Sequence, residues 1–376
     1  MKTVQLVRKD GEAWTTIGTS IALKNPLVLV FGNRFLLEDE HIYEEVQALF
    51  PDGHIVFGSS CGEIAAGKVS DDSISITAIE FERATFKIET HNILDEDLDS
   101  EKSGYKAVKK LPAEGLKHVF VISEGSFVNG SGLTKGMTKA LPDTLITGAL
   151  CGDDGRFEKT VASYNENPKA GEIVVIGFYG ASFEISFSIY GGWTPFGPER
   201  IVTKSRDNVL YELDNKPALD LYKLYLGDKA TDLPGSALIY PLNVKSTSND
   251  QPFARTILSI DEVENTMTLA GDVPENSIVQ LMMTNMDSIA AASETAALHA
   301  MEHRENKPEL ALLVSCIGRK LVLDQRIEEE VEEVLNVVGD DIIIAGLYSY
   351  GEIAPFHGET TCELHNQTMT ITLISE

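Results

Sequence analysis

Residues 27–63 read LVLVFGNRFLLEDEHIYEEVQALFPDGHIVFGSSCGE, and this stretch contains the pattern that decides the fold. Its first residues form an apolar run, which predicts a strand. Ile42, Val46 and Leu49 then recur at the spacing of one helix face, with glutamates between them. A Pro-Asp-Gly turn ends this helix, and a second apolar strand leads into the glycine loop 58–63. The stretch therefore predicts a strand, a helix, a second strand and a glycine loop.

The same order of elements returns twice along the chain. The second copy has a strand at 118–122, a helix at 133–141, a strand at 145–147 and a loop at 148–153. The third has a strand at 310–314, a helix at 327–338, a strand at 342–345 and a loop at 346–352. A strand–helix–strand of this length joins parallel strands, so its loops open at one edge of the sheet. Because open α/β sheets bind ligands at that edge, we expect the loops to surround one site.

Alternating segments follow each loop and predict hairpins. The predicted pairs are 73–81 with 85–91, 158–164 with 172–179, and 361–365 with 369–374. A degenerate fourth copy is predicted from a helix at 217–226, a strand at 237–240 and a hairpin of 254–260 with 266–270. The predicted fold class is therefore α/β. Internally duplicated strand–helix–strand plus hairpin units form mixed sheets flanked by helices, in two pseudo-related halves.

The predicted loops place polar and glycine residues at the shared edge. The candidate ligand-binding residues are Arg34, Gly62, Glu63, Asp153, Cys316, Arg319, Tyr350, Gly351, Glu352 and Asn366. The alternative is that the glycines serve only tight turns and the acids are solvated caps, because a turn needs a positive φ with or without a ligand. Asn366 lies in a predicted turn, where asparagine more often shapes the backbone.

Arg319 and Glu352 are the candidates with the clearest chemistry. An arginine holds a carboxylate through two parallel hydrogen bonds and a glutamate accepts an ammonium group, so the two together suit a zwitterion. The alternative is that they pair with each other for structure. If Arg319 binds ligand, Arg319→Ala removes the response to ligand and leaves the melting temperature nearly unchanged. Cys316 is closely followed by two basic residues, which lower the pKa of a thiol; a small buried side chain is the alternative.

Three further motifs carry weaker signals. Residues 58–62 fit the G-x-S-x-G pattern of a serine nucleophile, but only a short segment that ends in glycine follows Ser60. Residues 299–303 fit the H-x-x-E-H pattern of a zinc site, but no third ligand is signalled, and histidines are favoured at a helix end without a metal. Residues 130–136 are one residue out of step with a dinucleotide loop. We therefore predict no metal, no cofactor and no catalytic residue.

The composition excludes several classes of partner. The chain has 376 residues with 58 acidic and 31 basic side chains, a formal charge of −27. A surface this acidic repels phosphate backbones and anionic membranes, so we expect neither nucleic acid nor membrane as a partner. The four cysteines show no C-x-x-C spacing, and no stretch has the length of a membrane span or the pattern of a signal peptide. We therefore expect a cytoplasmic protein with reduced thiols.

Several segments resemble one protein family. Residues 57–64, FGSSCGEI, resemble the glycine-rich segment of the FIST N-terminal domain, and residues 191–198, GGWTPFGP, resemble the opening of the FIST C-terminal domain. Further segments similar to the second domain lie at 217–223, 240–242, 315–319, 348–355 and 365–368. The resemblance implies a FIST N-terminal domain at 25–190 and a FIST C-terminal domain at 191–374.

The resemblance also implies a function. FIST proteins are sensory inputs of signal transduction, with small molecules such as amino acids as proposed ligands. Because no output domain is recognised in this sequence, we expect a separate signalling protein to receive the signal. Two alternatives stay open. One is a protein-interaction platform without a small ligand, whose acidic surface selects a basic partner, and the other is an enzyme that uses Cys316 or Ser60.

Overall fold

The computed structural model describes residues 1–233, 235–246 and 251–376. The strands are β1 (Lys2–Lys9), β2 (Thr15–Ile17), β3 (Leu27–Gly32), β4 (His54–Ser59), β5 (Glu63–Ala65), β6 (Lys68–Ser70), β7 (Ser73–Glu80), β8 (Thr85–Asn92), β9 (Leu116–Ser123), β10 (Leu145–Leu150), β11 (Ala162–Tyr164), β12 (Glu172–Tyr179), β13 (Glu184–Tyr190), β14 (Thr194–Arg206), β15 (Val209–Leu213), β16 (Lys216–Pro217), β17 (Leu242–Lys245), β18 (Phe253–Arg255), β19 (Ile257–Asp261), β20 (Thr266–Leu269), β21 (Ile278–Met283), β22 (Leu310–Cys316), β23 (Ile343–Ser349), β24 (Gly351–Pro355), β25 (Cys362–His365) and β26 (Met369–Ser375). The α-helices are α1 (Arg34–Leu37), α2 (Ile42–Leu49), α3 (Ser100–Lys109), α4 (Gly130–Ala140), α5 (Ala218–Leu226), α6 (Met286–Met301), α7 (Ile317–Leu323) and α8 (Glu329–Val338). Short 3₁₀ turns lie at Ile93–Glu96, Gly227–Asp232, Gly235–Ile239 and Asp324–Arg326.

Three strand–helix–strand crossovers form the centre of the fold, as the sequence predicts. β3 pairs in parallel with β4, β9 with β10, and β22 with β23. Helices α1 and α2 connect the first pair, α4 the second, and α7 and α8 the third. Every residue of β3 and β22 is buried, which is typical of parallel strands that are covered on both faces. The prediction of an α/β fold with duplicated units in mixed sheets is confirmed.

Each crossover unit receives one strand from another unit, and these exchanged strands close a ring. β5, which follows the first glycine loop, pairs with β23 of the third unit. β24, which follows the third loop, pairs with β10 of the second unit. β11, which follows the second loop, pairs with β4 of the first unit. We call the three units with their exchanged strands the ring.

The three strand pairs that the sequence predicts as hairpins after the glycine loops are not hairpins, whereas the predicted hairpin of 254–260 with 266–270 is confirmed by the antiparallel pairing of β19 with β20. β7 pairs with β1 and β3, while β8 pairs with β12 in another sheet. β11 and β12 likewise lie in different sheets, and so do β25 and β26. The alternation of apolar and polar side chains identifies a strand and its buried face, but it carries no information about the partner strand. Here each strand pairs with strands other than the second member of its predicted hairpin.

Residues 194–283 form an antiparallel lobe where the sequence predicts a degenerate fourth copy. Its strands β14–β21 pair antiparallel, and α5 packs on them over an apolar core. The predicted helix at 217–226 is confirmed as α5. The predicted strand at 237–240 is wrong, because Gly235–Ile239 is a 3₁₀ turn, and an apolar run this short does not distinguish the two. We call residues 194–283 the lobe.

Helices cover the outer faces of the ring. α3 packs on α4 beside the second unit, and α6 packs on α8 beside the third. The largest apolar core lies beneath these helices, and it joins residues from all three crossover units. Of the helices in the described part of the chain, none is long and apolar enough to cross a membrane.

Candidate functional site

The three glycine loops meet at one place, because the exchanged strands bring their ends together. We call loops 58–63, 148–153 and 346–352 together the corner junction. Each loop is hydrogen-bonded through its backbone to both of the others. The bonds run from Cys61 N to Tyr348 O (2.8 Å), from Gly152 N to Ser59 O (2.9 Å) and from Tyr350 N to Leu150 O (3.1 Å).

Two candidate glycines lie at tightly packed positions of the corner junction. Gly62 has a φ of +134°, and a Cβ there would lie 3.1 Å from Lys320 Nζ. A Cβ at Gly351 would lie 2.8 Å from a methyl carbon of Leu364. Both positions favour glycine for reasons of backbone conformation or space alone. The alternative that these glycines serve the turns therefore accounts for them without a ligand.

Glu63 is the first residue of the exchanged strand β5 and Glu352 is the second residue of β24, and both carboxyl groups are buried. Each accepts hydrogen bonds from two hydroxyl groups, and neither forms an ion pair with a described residue. The hydroxyl donors are Ser60 (2.5 Å) and Ser73 for Glu63, and Ser349 (2.8 Å) and Thr368 (2.8 Å) for Glu352. Burial raises the pKa of each carboxyl to about 8. Both carboxyl groups are therefore mainly neutral at pH 7. A ligand ammonium group needs an ionised carboxylate, so neither glutamate suits the role that the sequence predicts for Glu352.

Arg319 is fully buried, and the protein itself supplies partners for its guanidinium. Nε lies 2.8 Å from Glu330 Oε2, and Nη2 donates to Ser293 Oγ at 2.6 Å. Backbone carbonyl groups of Gly191 and Ile289 accept from Nη1 and Nη2. The expected clamp of Arg319 with Glu352 is therefore not formed. The alternative pairing of these two residues is not formed either, because the ion-pair partner of Arg319 is Glu330 on α8.

The thiol of Cys316 ends β22 and is buried. Burial raises its pKa well above the ordinary value, and the nearby Glu352 acts in the same direction. The expectation that basic neighbours lower this pKa is wrong, because loss of solvent outweighs the charge of Arg319. Burial likewise raises the pKa of the other three thiols. The structure therefore favours the interpretation of Cys316 as a small buried side chain.

Tyr350 and Asn366 support the third corner from inside. The Tyr350 ring stacks on Phe157 with 4.4 Å between the ring centroids, and its hydroxyl donates to the carbonyl of Asp154 at 3.0 Å. Asn366 is buried in the turn between β25 and β26, and its Nδ2 donates to the carbonyl of Tyr350 at 3.3 Å. Asn366 Oδ1 has no hydrogen-bond partner among the residues that the structure describes.

The corner junction reaches solvent where side chains of both charges surround the buried Asp153. Arg34 Nε lies 3.0 Å from Asp153 Oδ1, an ion pair without hydrogen-bond geometry, and Arg156 Nη2 lies 2.8 Å from the same oxygen. Arg156 also pairs with Asp154 at 2.9 Å. The guanidinium carbons of Arg34 and Arg156 lie 4.1 Å and 4.9 Å from the ring centroid of Phe35, which is 57% exposed. The open face, as we call it, comprises Arg34, Phe35, Asp154, Arg156 and Lys320.

The weaker motifs do not form reactive sites. Ser60 donates to Glu63 at 2.5 Å and is followed by a strand, so it lacks the helix of a nucleophile elbow. α6 ends at Met301 and His303 has a φ of +59°, so the two histidines do not share a helix face. No group of three metal-ligating side chains occurs among the described residues. Asn129 Oδ1 caps the first amides of α4, where the dinucleotide-like loop begins.

Sequence reasoning missed two charged residues of this region. Glu330 lies three residues after Ile327 and four before Val334, so helical spacing already placed it on the buried face of α8. That spacing was the available signal for its pairing with Arg319. Arg156 lies in an irregular segment between β10 and β11, where no periodicity gives its position.

Comparison with known proteins identifies relatives of the chain. The uncharacterized protein MJ1623 of Methanocaldococcus jannaschii is 28% identical, with 55% of this chain and 44% of that protein covered. The chain therefore spans less than half of the length of this relative. A chorismatase structure has a TM-score of 0.34 at 9% identity and covers 100% of this chain and 98% of its own. A cyanuric acid hydrolase from A. caulinodans has a TM-score of 0.35 at 9% identity and covers 93% and 90%. Structural similarity at these TM-scores says nothing about the function of this chain.

Models of two domains match the sequence over most of its length. The FIST N domain matches residues 26–216, and the FIST C domain matches residues 218–355. The division that we place between residues 190 and 191 stays a prediction. FIST domains are associated with sensors of signal transduction. The predicted resemblance is confirmed, and this chain belongs to the FIST family.

Proposed function

We propose that this chain is a cytoplasmic sensory protein that binds a small polar metabolite, such as an amino acid, at the open face. In this proposal it reports the ligand to a separate signalling protein. The observation that carries the proposal is the meeting of three corners, far apart in sequence, beneath one partly exposed cluster of charges. Membership of a family associated with sensors points in the same direction.

The chemistry of the open face suits a ligand with both charges. The side chain of Arg156 is 31% exposed and can donate to a carboxylate, and that of Asp154 is 30% exposed and can accept from an ammonium group. Phe35 adds an exposed apolar surface beside them. Exposed ion pairs contribute at most about 1 kcal/mol, so a ligand can replace the contact between Arg156 and Asp154 at small cost.

The candidates from the sequence divide into two groups in this proposal. Arg34, Gly62 and Asp153 lie at or directly beneath the open face and are proposed to position the ligand. The buried candidates are proposed to hold the shape of the corners without touching it. This second group comprises Glu63, Cys316, Arg319, Tyr350, Gly351, Glu352 and Asn366.

Thermal unfolding in the presence of amino acids and other small metabolites tests the proposal. A ligand at 100 times its dissociation constant should stabilise the protein by about 2.7 kcal/mol. Arg156→Ala should remove this shift because it deletes the exposed guanidinium. Arg206→Ala is the matched control, since its side chain is 83% exposed on the lobe and lies 3.9 Å from its acidic neighbour Asp207. It should keep the full shift.

The proposal fails if no compound of the panel shifts the unfolding of a well-folded sample. It also fails if a shift persists unchanged in Arg156→Ala. Capture of one signalling protein without any added metabolite would instead favour the interaction platform, and the acidic surface predicts that such a partner is basic.

A further inference from the structure

A cavity of about 320 Å³ lies between the lobe and the second crossover unit, apart from the corner junction. It is bounded by helix α4 and strand β25 of the ring and by strand β18 of the lobe. More of its wall is apolar than polar. The lining residues that matter here are Ser131, Thr138, Phe253, Arg255, Cys362 and Glu363.

Arg255 is a buried cation in the wall of this cavity, with only 2% of its surface exposed. Its hydrogen-bond acceptors among the described residues are uncharged oxygens, and its guanidinium carbon lies 4.1 Å from the ring centroid of Phe253, a cation–π contact. Nη1 donates to the carbonyl of Leu364 at 2.9 Å, and Nε donates to the carbonyl of Asp272 at 3.2 Å. Nη2 carries two hydrogens, yet its one contact among those residues is Ser131 Oγ at 3.5 Å, which is too long for a strong hydrogen bond.

The second buried arginine shows what is missing at Arg255. Arg319 has the carboxylate of Glu330 at 2.8 Å and a hydroxyl and two carbonyl groups around the rest of its fork. Buried charges in proteins are normally paired in this way, because an unpaired charge loses its hydration without compensation. Burial lowers the pKa of Arg255 to about 10, because the guanidinium loses its hydration and no neighbouring carboxylate replaces it.

Neither acid near the cavity is positioned to compensate Arg255 directly. The side chain of Asp272 accepts from Asn129 Nδ2 at 2.8 Å, at the beginning of α4. Glu363 acts on Arg255 only through its field, and burial raises the pKa of its own carboxyl. The guanidinium fork therefore faces the cavity with donor capacity left and without an anionic partner among the described residues.

We infer that this cavity binds a small molecule with a carboxylate on a compact, mainly apolar body, and that Arg255 anchors the carboxylate. A carboxylate accepts charge-assisted hydrogen bonds, and Nη2 of Arg255 is the nitrogen with hydrogens to donate, because Nε and Nη1 already donate to carbonyl groups. Phe253 and the side chains of Thr138 and Cys362 border the space for the apolar body. Such a ligand touches the ring and the lobe at once. The inference is independent of the open face.

Three compounds with a common isobutyl group test which kind of carboxylate the cavity binds. They are 4-methylpentanoate, L-leucine, and 3-methylbutylamine, which share the isobutyl group and differ in carboxylate and amine. Calorimetric titration of the full chain should give saturable binding for at least one of the two carboxylates and none for the amine. Binding of 4-methylpentanoate alone identifies a simple carboxylic acid as the ligand type, and binding of leucine alone identifies an amino acid.

Two variants locate the site. Thr138→Trp fills the cavity and leaves Arg255 in place, so it should abolish binding. Thr295→Trp is the matched control and should keep binding, because Thr295 is half-buried like Thr138 but lies on α6 and does not line the cavity. Arg255→Lys retains the charge but lacks the Nη2 donor, so the dissociation constant should rise at least tenfold. Far-UV circular dichroism checks that each variant is folded.

The inference is overturned if neither carboxylate binds, or if the amine binds as well as they do. It is equally overturned if binding persists in Thr138→Trp while Arg156→Ala abolishes it. That pattern would assign the carboxylate to the open face, so failure of the cavity and failure of the open face give different results.

Discussion

Replacement of Arg319 by methionine tests whether this residue is structural or free to bind ligand. Arg319 is buried, and its guanidinium is hydrogen-bonded to Glu330, Ser293 and two carbonyl groups. Methionine keeps much of the apolar volume but leaves the carboxylate of Glu330 buried without a cation. Removal of one partner from a buried ion pair costs about 3–5 kcal/mol. The hydroxyl groups of Ser315 and Tyr348 still donate to Glu330, which favours the lower end of that range.

Urea unfolding followed by circular dichroism measures this loss. Lys307→Met is the control, because Lys307 pairs with Asp341 at 3.1 Å with both side chains more than half exposed, and such pairs contribute at most about 1 kcal/mol. The double variant Arg319→Met/Glu330→Met should recover part of the stability, because it removes the orphaned charge. A loss for Arg319→Met no larger than that for Lys307→Met would refute the structural role. The sequence-based expectation of an unchanged melting temperature would then be restored.

Buried groups give three further predictions. The pKa of Glu352 is about 8 in the folded chain against 4.5 for an ordinary glutamate, so the folded state binds the extra proton and stability falls as pH rises from 4.5 to 8. Urea unfolding at pH 5 and pH 8 should show a smaller decline for Glu352→Gln, and equal declines would contradict the burial. Gly346→Ala should destabilise by about 1–3 kcal/mol in the same assay, because a Cβ would collide with the carbonyl oxygen of Leu313, whereas Gly155→Ala meets open space and should be neutral. Ellman's reagent should titrate fewer than one of the four thiols before denaturation, since all are buried; rapid reaction of several would contradict that.

The crossovers could be predicted from the sequence because local patterns determine them. The spacing of Ile42, Val46 and Leu49 gives α2, and the apolar runs on either side give β3 and β4. The sequence argument brings together only the two loops within each unit, which open at one edge of its sheet. The three units lie in three sheets, so the meeting of their glycine loops follows from the exchanged strands.

The exchange of strands could not be predicted in the same way. Residues 63–65 form a short buried strand, and such a strand could pair with many others. Nothing in these three residues specifies that the partner is β23, which lies near the other end of the chain. Register and partner follow from tertiary packing and not from alternation. The lobe was missed for a related reason, since its short strands were interpreted as one more degraded repeat.

The candidate site was predicted in part. Arg34, Asp153 and Gly62 come together as expected, whereas Arg319 and Glu352 each have other partners. Arg319 pairs with Glu330 because α8 turns this glutamate toward the protein interior. Helical spacing predicts that orientation only if a glutamate is allowed among the apolar residues of the buried helix face. Arg255 carries no sequence signal, because a charged residue at the end of an alternating strand is ordinarily solvated.

The closing of the ring by exchanged strands is the claim on which the corner junction depends, and one disulfide tests it directly. Ala65 of β5 and Ala345 of β23 are paired residues of antiparallel strands, so their Cα atoms lie within the range of a disulfide. Ala65→Cys/Ala345→Cys should form this bond in nearly all molecules on mild oxidation, as read by peptide mass mapping. Ala65→Cys/Ala311→Cys should not, because Ala311 lies one strand further, about 10 Å away. Equal yields for both pairs, or none for the first, would contradict the ring.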